Sequence, residues 1–174
     1  AHLSGTHHSA EVAKSMLPEA DIEVIDSWQA STVLGVLVLE AARAAQAGKS
    51  KAEIVDLVNR LKERIRVFFM VDTLEYLQKG GRIGKAQAFL GSMLNIKPIL
   101  TLEQGIIVPA AKARGRAKGM EQLLTKMEAA IGTGRQRIMA MMHAANPEGM
   151  AELEKKARER WQPQEIIIST VGPV

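Results

Sequence analysis

Three stretches of this 174-residue chain place polar or cationic groups where they could hold an anion. Leu3-Ser4-Gly5-Thr6 sets two hydroxyls around a glycine at the expected start of a helix, where unpaired N–H groups and the positive end of the helix dipole favour negative charge. Plain helix capping by Ser4 and Thr6 accounts for the same residues. Gly80-Gly81-Arg82-Ile83-Gly84-Lys85 is a basic, glycine-rich loop able to carry Arg82 close to a ligand. A helix end followed by a surface turn would look the same. Lys112-Ala113-Arg114-Gly115-Arg116-Ala117-Lys118 alternates cations with small residues. If extended, it would turn all four cations to one side, where a guanidinium grips carboxylate or phosphate through two parallel hydrogen bonds.

Other chemistries have less to stand on. His7 and His8 are adjacent and diverge by about 100° on a helix, and His2 and His143 have no ligand spacing, so no metal site is expected. There is no cysteine, hence no disulfide or thiolate site. No nucleophile elbow, phosphate loop or dinucleotide fingerprint is present, so the residues give catalysis no anchor.

Charge is local. From Lys79 to Lys118 there are eight basic residues and one acid, net +7, while the remainder holds fifteen basic and eighteen acidic, net −3. A solvated face, an anion site or an acidic partner each explains this. With three Phe, two Trp and one Tyr, platforms for base stacking are few and no nucleic acid is expected, an anion- or nucleic-acid-binding module using the basic cluster 79–118 being the alternative reading. No run of eighteen apolar residues occurs, so no stable membrane insertion is expected, and nothing in the opening residues suggests export.

The elements that must position these groups are readable from pattern. Ser4 to Leu17 reads as a helix stopped by Pro18, and Asp21 to Asp26 as a short strand. Ser31 to Ala47, apolar nearly all round, reads as a well-buried helix. Ser50-Lys51-Ala52-Glu53 is a capping box opening the next helix. Val67 to Val71 reads as a buried strand and Asp72-Thr73-Leu74-Glu75 as a second capping box, whose helix ends at Gly80-Gly81. Ala86 to Leu94 is helical, with Phe89, Leu90 and Met93 on one side. Lys97 to Ala110 reads as a β-hairpin turning at Gly105. Gly119 to Ile131 is a helix, Arg137 to His143 a strand, Asn146-Pro147 the start of a helix with Met150, Leu153, Ala157 and Trp161 on one face, and Glu165 to Thr170 a strand. The order after about residue 66 suggests an α+β domain around a mixed sheet.

The run from Asp72 to Ile99, containing Leu-Gln-Lys-Gly-Gly-Arg-Ile-Gly-Lys, resembles the signature of the DegV family of fatty-acid-binding proteins. Leu3-Ser4-Gly5-Thr6 with Ser9-Ala10, Asp26-Ser27 and Val171-Gly172-Pro173-Val174 agree in order and spacing. The resemblance implies an α/β fold in two domains: residues 1–66, the remnant of a doubly wound parallel α/β N-terminal domain, and residues 67–174, an α+β lipid-binding domain. It implies a long-chain fatty acid as ligand, no other cofactor, its carboxylate held by Ser4, Gly5, Thr6 and Arg82. Arg114 would contact ligand or partner, and Phe89, Met93 and Ile96 would line the acyl tunnel. It also implies a cytoplasmic, non-catalytic carrier that presents the fatty acid to a separate kinase subunit. His7-His8 stands where the family has Tyr-Gln, and Gly115 where it has Thr, so contacts at the rim are expected to differ. Family motifs Thr-Ser-x-Pro-Ser and Gly-Thr-His-x-Gly-Pro-Gly do not occur, so a chain truncated at both ends is expected.

Overall fold

The computed structural model describes residues 2–91, 95–134 and 138–172. Helix α1 (Thr6–Ser15) leads into an extended segment, 21–27, that is not a strand. Its alternation suits a strand, but strand conformation is held by ladder hydrogen bonds to a neighbour, and among the described residues none pairs with it. Helix α2 (Ser31–Gln46) buries only Val33, Leu37, Glu40 and Ala44, a stripe at helical spacing, while Val38 on the other side is 61% exposed. The expectation of a helix buried all round is corrected accordingly. The stripe lies against strands β4 (Ile138–His143) and β5 (Glu165–Thr170). There Arg43 spans buried Glu40 (2.9 Å) and both carboxylate oxygens of Glu165 (2.8 and 2.9 Å). Helix α3 (Lys51–Arg64) opens with both bonds of the expected capping box between Ser50 and Glu53.

Strands β1 (Phe68–Met70), β2 (Ile96–Glu103) and β3 (Ile106–Arg114) form an antiparallel sheet in that order. β1 is a half-buried edge strand of three residues, shorter and less covered than its apolar sequence suggests. The hairpin β2–β3 turns through Gln104 and Gly105, both at positive φ (49° and 78°), the backbone that matches strand twist in a two-residue loop. Strands β4 and β5 pair in parallel through the crossover helix α6 (Pro147–Trp161), which Asn146 caps by accepting from the Gly149 N–H at 3.3 Å. Parallel and antiparallel pairing therefore both occur, but in two sheets rather than within one mixed sheet.

Helix α5 (Arg116–Ile131) is the layer between them. Leu123 packs with Ile99 and Ala113 of the antiparallel sheet. Met120 and Leu124 join Met141, Met150, Ala157 and Trp161 on the other side. A third cluster, Leu74, Ala86, Leu100 and Ile107, lies under the loop that carries Arg82. α5 begins three residues before the expected Gly119, because Gly115 at φ 80° ends the strand and turns the chain. Arg116 and Lys118 therefore stand on a helix, and the expected four-cation extended row is reduced to Lys112 and Arg114 on β3.

Candidate functional site

The Arg82 loop is built by glycine. Helix α4 (Glu75–Lys79) ends with Gly81 in the left-handed region (φ 70°), and the Arg82 N–H bonds back to the Leu77 carbonyl at 2.9 Å. The chain then enters a short 3-10 helix, Gly84–Phe89, where helical spacing had suggested an α-helix over Ala86 to Leu94. Residues 92–94 of that stretch, including Met93, lie outside the described residues.

Arg82 is aimed across the fold. Its Nε donates to the Leu3 carbonyl at 3.3 Å and its Nη1 to the Gly80 carbonyl at 2.5 Å. Two sequence-predicted groups 79 positions apart thus meet, and the guanidinium fixes the turn that opens α1. In that turn the Ser4 hydroxyl accepts the Thr6 N–H at 3.2 Å and lies 2.8 Å from the Thr6 hydroxyl. Gly5 occupies the cap position with no side-chain bond of its own. Ser4, Gly5, Thr6 and Arg82 are all solvent-exposed. Leu3, like Leu77, Ile83 and Phe89, packs against the third cluster. The arrangement offers hydroxyls, a cation and helix N–H groups over hydrocarbon, which suits an amphiphile with an anionic head.

The other predicted residues divide. Phe89 joins this apolar cluster, and the Lys112 ammonium lies 5.3 Å from its ring centroid. Ile96 pairs with Arg114 at the opposite end of the hairpin from Ile107, about 20 Å along the strands at about 3.3 Å per residue. Arg114 borders a separate cleft of about 600 Å³ with Lys112, Lys118, Glu121, Glu152 and Lys156. Spacing gave no sign that Lys156, on α6, would complete it. Leu77, on α4, and Ile83, between α4 and the 3-10 helix, were also missed as apolar residues packed against this cluster, because their partners Leu100 and Ile107 lie on the hairpin, far along the chain.

Asp72, the first residue of the signature run, does not cap α4. The cap-like bond comes from Thr73, whose hydroxyl accepts the Glu75 N–H at 3.1 Å. Asp72 instead accepts a 2.7 Å bond from Lys97, with Arg116 at 3.8 Å, and Lys97 chiefly holds its carboxyl below the usual carboxylate range. A depressed folded pKa stabilises the fold above the unfolded value, about 3.9, and that contribution is lost as pH falls through the folded value. Urea midpoints measured from pH 5 to pH 2 should therefore fall less steeply in Asp72→Asn than in the parent. Parallel profiles would mean the ion pair contributes nothing, as many exposed pairs do.

Fold and site together describe a mixed α/β protein with a pinned, hydroxyl-rich helix start above an apolar cluster. The chain belongs to the DegV family, whose family model matches residues 1–174. It is 37% identical over 170 residues to a DegV domain-containing protein of Caldanaerobacter subterraneus, covering 98% of this chain and 61% of that protein. Among solved structures it resembles a DegV family protein from Thermus thermophilus described for its fatty acid binding. There the TM-score is 0.84 and the identity 33%, over 97% of this chain and 60% of that one. It also resembles the Streptococcus pneumoniae Fatty Acid Kinase (Fak) B3 protein loaded with linoleic acid, with TM-score 0.85 and identity 26%, over 97% of this chain and 61% of that one. The chain thus spans about three-fifths of the length of these relatives.

Proposed function

We propose that the protein containing this chain binds one long-chain fatty acid as a non-catalytic, cytoplasmic carrier and presents its carboxyl group to a separate kinase subunit. Ser4, Gly5, Thr6 and Arg82 hold the carboxylate, and an acyl tunnel starts from Phe89 and the neighbouring apolar residues. Residues 1–66 and 67–174 belong to two domains that share this ligand, with Arg114 facing the ligand or the partner. The observation that carries the reading is the Arg82 to Leu3 hydrogen bond, which joins the guanidinium to the residue before the helix start, itself packed against the same apolar cluster as Leu77, Ile83 and Phe89. The fatty acids named for the Thermus and Streptococcus proteins support the choice of ligand.

The energetics suit the division of labour. Burial contributes about 0.8 kcal/mol per CH2, so a chain of about sixteen carbons gains on the order of 10 kcal/mol before ordering costs. The tail supplies affinity. A carboxylate brought next to hydrocarbon must be hydrogen-bonded or paired, and the Ser4 hydroxyl and Arg82 supply the donors.

The test is binding of a labelled long-chain fatty acid to the purified protein, with and without ATP. Saturable binding that persists in high salt is expected, weakened roughly tenfold in Ser4→Ala by analogy with loss of a hydrogen bond to a charged group. No phosphorylated product is expected without an added kinase. Turnover of ATP and fatty acid by the protein alone would overturn the carrier assignment, and binding indifferent to both Ser4→Ala and Arg82→Ala would overturn the site.

A further inference from the structure

Helix α2 is tied to the parallel sheet near both of its ends. Close to its start the Thr32 hydroxyl meets the Ser169 hydroxyl near the end of β5, and close to its other end Arg43 grips Glu165 at the start of β5. Thr32 to Arg43 spans about 16 Å of helix and Glu165 to Ser169 about 13 Å of strand, so the two ties set α2 antiparallel to β5 in one register. Between them α2 buries three apolar side chains, Val33, Leu37 and Ala44, together with the carboxylate of Glu40. Much of the attachment is therefore polar, and Arg43 carries most of it by donating to Glu40 and Glu165 at once.

The turn that leads into α2 is strained. Trp28 and Ser31 have φ of 58° and 55°, a left-handed backbone that L-residues avoid and bulky ones most of all. Between them the Gln29 Oε1 atom is buried with no hydrogen-bond partner among the described residues. Neighbouring elements hold this shape. The Lys62 ammonium of α3 stands 4.3 Å from the centroid of the Trp28 ring, and a Cβ added at Gly105, in the hairpin turn, would lie 3.6 Å from the Trp28 Cα. Strain and an orphaned acceptor at the root of a helix are both relieved when that helix moves, which is how a hinge differs from a rigid corner.

We propose that α2 is a strap over the β4–β5 sheet, hinged at residues 28–31 and latched by the Arg43–Glu165 ion pair, and that its opening sets the rate of ligand exchange. The gating half rests on the reading that residues 1–66 and 67–174 share one fatty acid, because lifting α2 parts the two. Arg43 is then a positioning residue that acts through the helix. The ion pair is made whether the protein is empty or loaded, so weakening it lowers the barrier equally in both directions. Entry and release quicken together and affinity stays where it was.

Glu165→Gln is the decisive variant, because it weakens the latch and leaves Arg43 bonded to Glu40. In the protein containing this chain, hydrogen exchange of the α2 amides should quicken roughly threefold relative to those of α5, the scale expected for one partly exposed ion pair. Stopped-flow mixing with anthroyloxy-labelled stearate should show association and dissociation both faster by a similar factor, with Kd unchanged within about twofold. Added salt should speed exchange in the parent more than in the variant. Ser31→Gly, which relieves the strained backbone of the closed strap, should slow both rates. Glu154→Gln breaks the exposed pair with Arg158 on α6 and should change nothing, and melting of each variant establishes that it is folded. Unaltered α2 exchange in Glu165→Gln overturns the strap. Faster dissociation with unchanged association overturns the gating, since Glu165 would then act on the loaded state alone. If the parent takes up no fatty acid the carrier reading falls, and hydrogen exchange still decides for or against the strap.

Discussion

Trp161→Ala is expected to lower unfolding free energy by about 3–5 kcal/mol, the range for truncating a fully buried aromatic. Trp161 is 1% exposed, at the end of α6, and is enclosed by Met120, Leu124, Met141, Met150 and Ala157. Its indole N–H donates to the Gly132 carbonyl at 2.8 Å, so truncation leaves a cavity and also removes the donor from the carbonyl that follows the C-terminal end of α5. At about 2–4 °C per kcal/mol for a protein of this size, the melting temperature should drop by roughly 6–20 °C. Trp161→Phe separates the two effects. It keeps most of the volume but not the donor, and should cost less, with about 1–2 kcal/mol attributable to the orphaned carbonyl. Urea unfolding of both variants checks this, and a loss below about 1 kcal/mol for Trp161→Ala would mean that α6 is not held by this residue.

Gly84→Ala is expected to cost about 2–4 kcal/mol and to disturb the Arg82 loop. The backbone at Gly84 has φ 54°, a region that costs an L-residue about 1–2 kcal/mol. An added Cβ would also stand 2.4 Å from the Ile107 carbonyl oxygen and 3.1 Å from its nitrogen, both backbone atoms of β3. A strand cannot yield there without straining the hairpin, so the loop must lift. Because Ile83 and Arg82 immediately precede Gly84, lifting the loop lengthens the reach of Arg82 to the Leu3 carbonyl. Denaturation should report the stability loss, and fatty-acid binding should weaken by more than the unfolded fraction explains. By contrast Gly5→Ala, where an added Cβ meets nothing within 4 Å, should leave stability nearly unchanged.

The elements legible in sequence were those specified locally. The Ser50 capping box, the Asn146-Pro147 helix start and the Gln104-Gly105 turn each draw on bonds within a few residues, and each formed as read. Asp21 to Asp26 was misread because a strand is defined by its neighbour, which no alternation pattern specifies. Asp72 was misassigned because a residue 25 positions away, Lys97, holds the carboxylate that a local reading gave to a cap. The Lys112 to Lys118 row failed at Gly115, whose positive φ converts an apparent extended alternation into a strand followed by a helix. The meeting of Arg82 with the Leu3 turn could not be read from spacing. Only the resemblance to a family paired those residues; the structure joins Arg82 to the Leu3 carbonyl, and their common hold on a carboxylate is the proposal made above.

Native mass spectrometry of the protein purified from cells, followed by organic extraction, tests the central claim most directly. The account predicts a mass increment equal to one long-chain fatty acid, retained through high-salt washes and reduced when Ser4 and Arg82 are both replaced by alanine. A protein that carries no acyl ligand, and that takes up none when long-chain fatty acids are supplied, would contradict it.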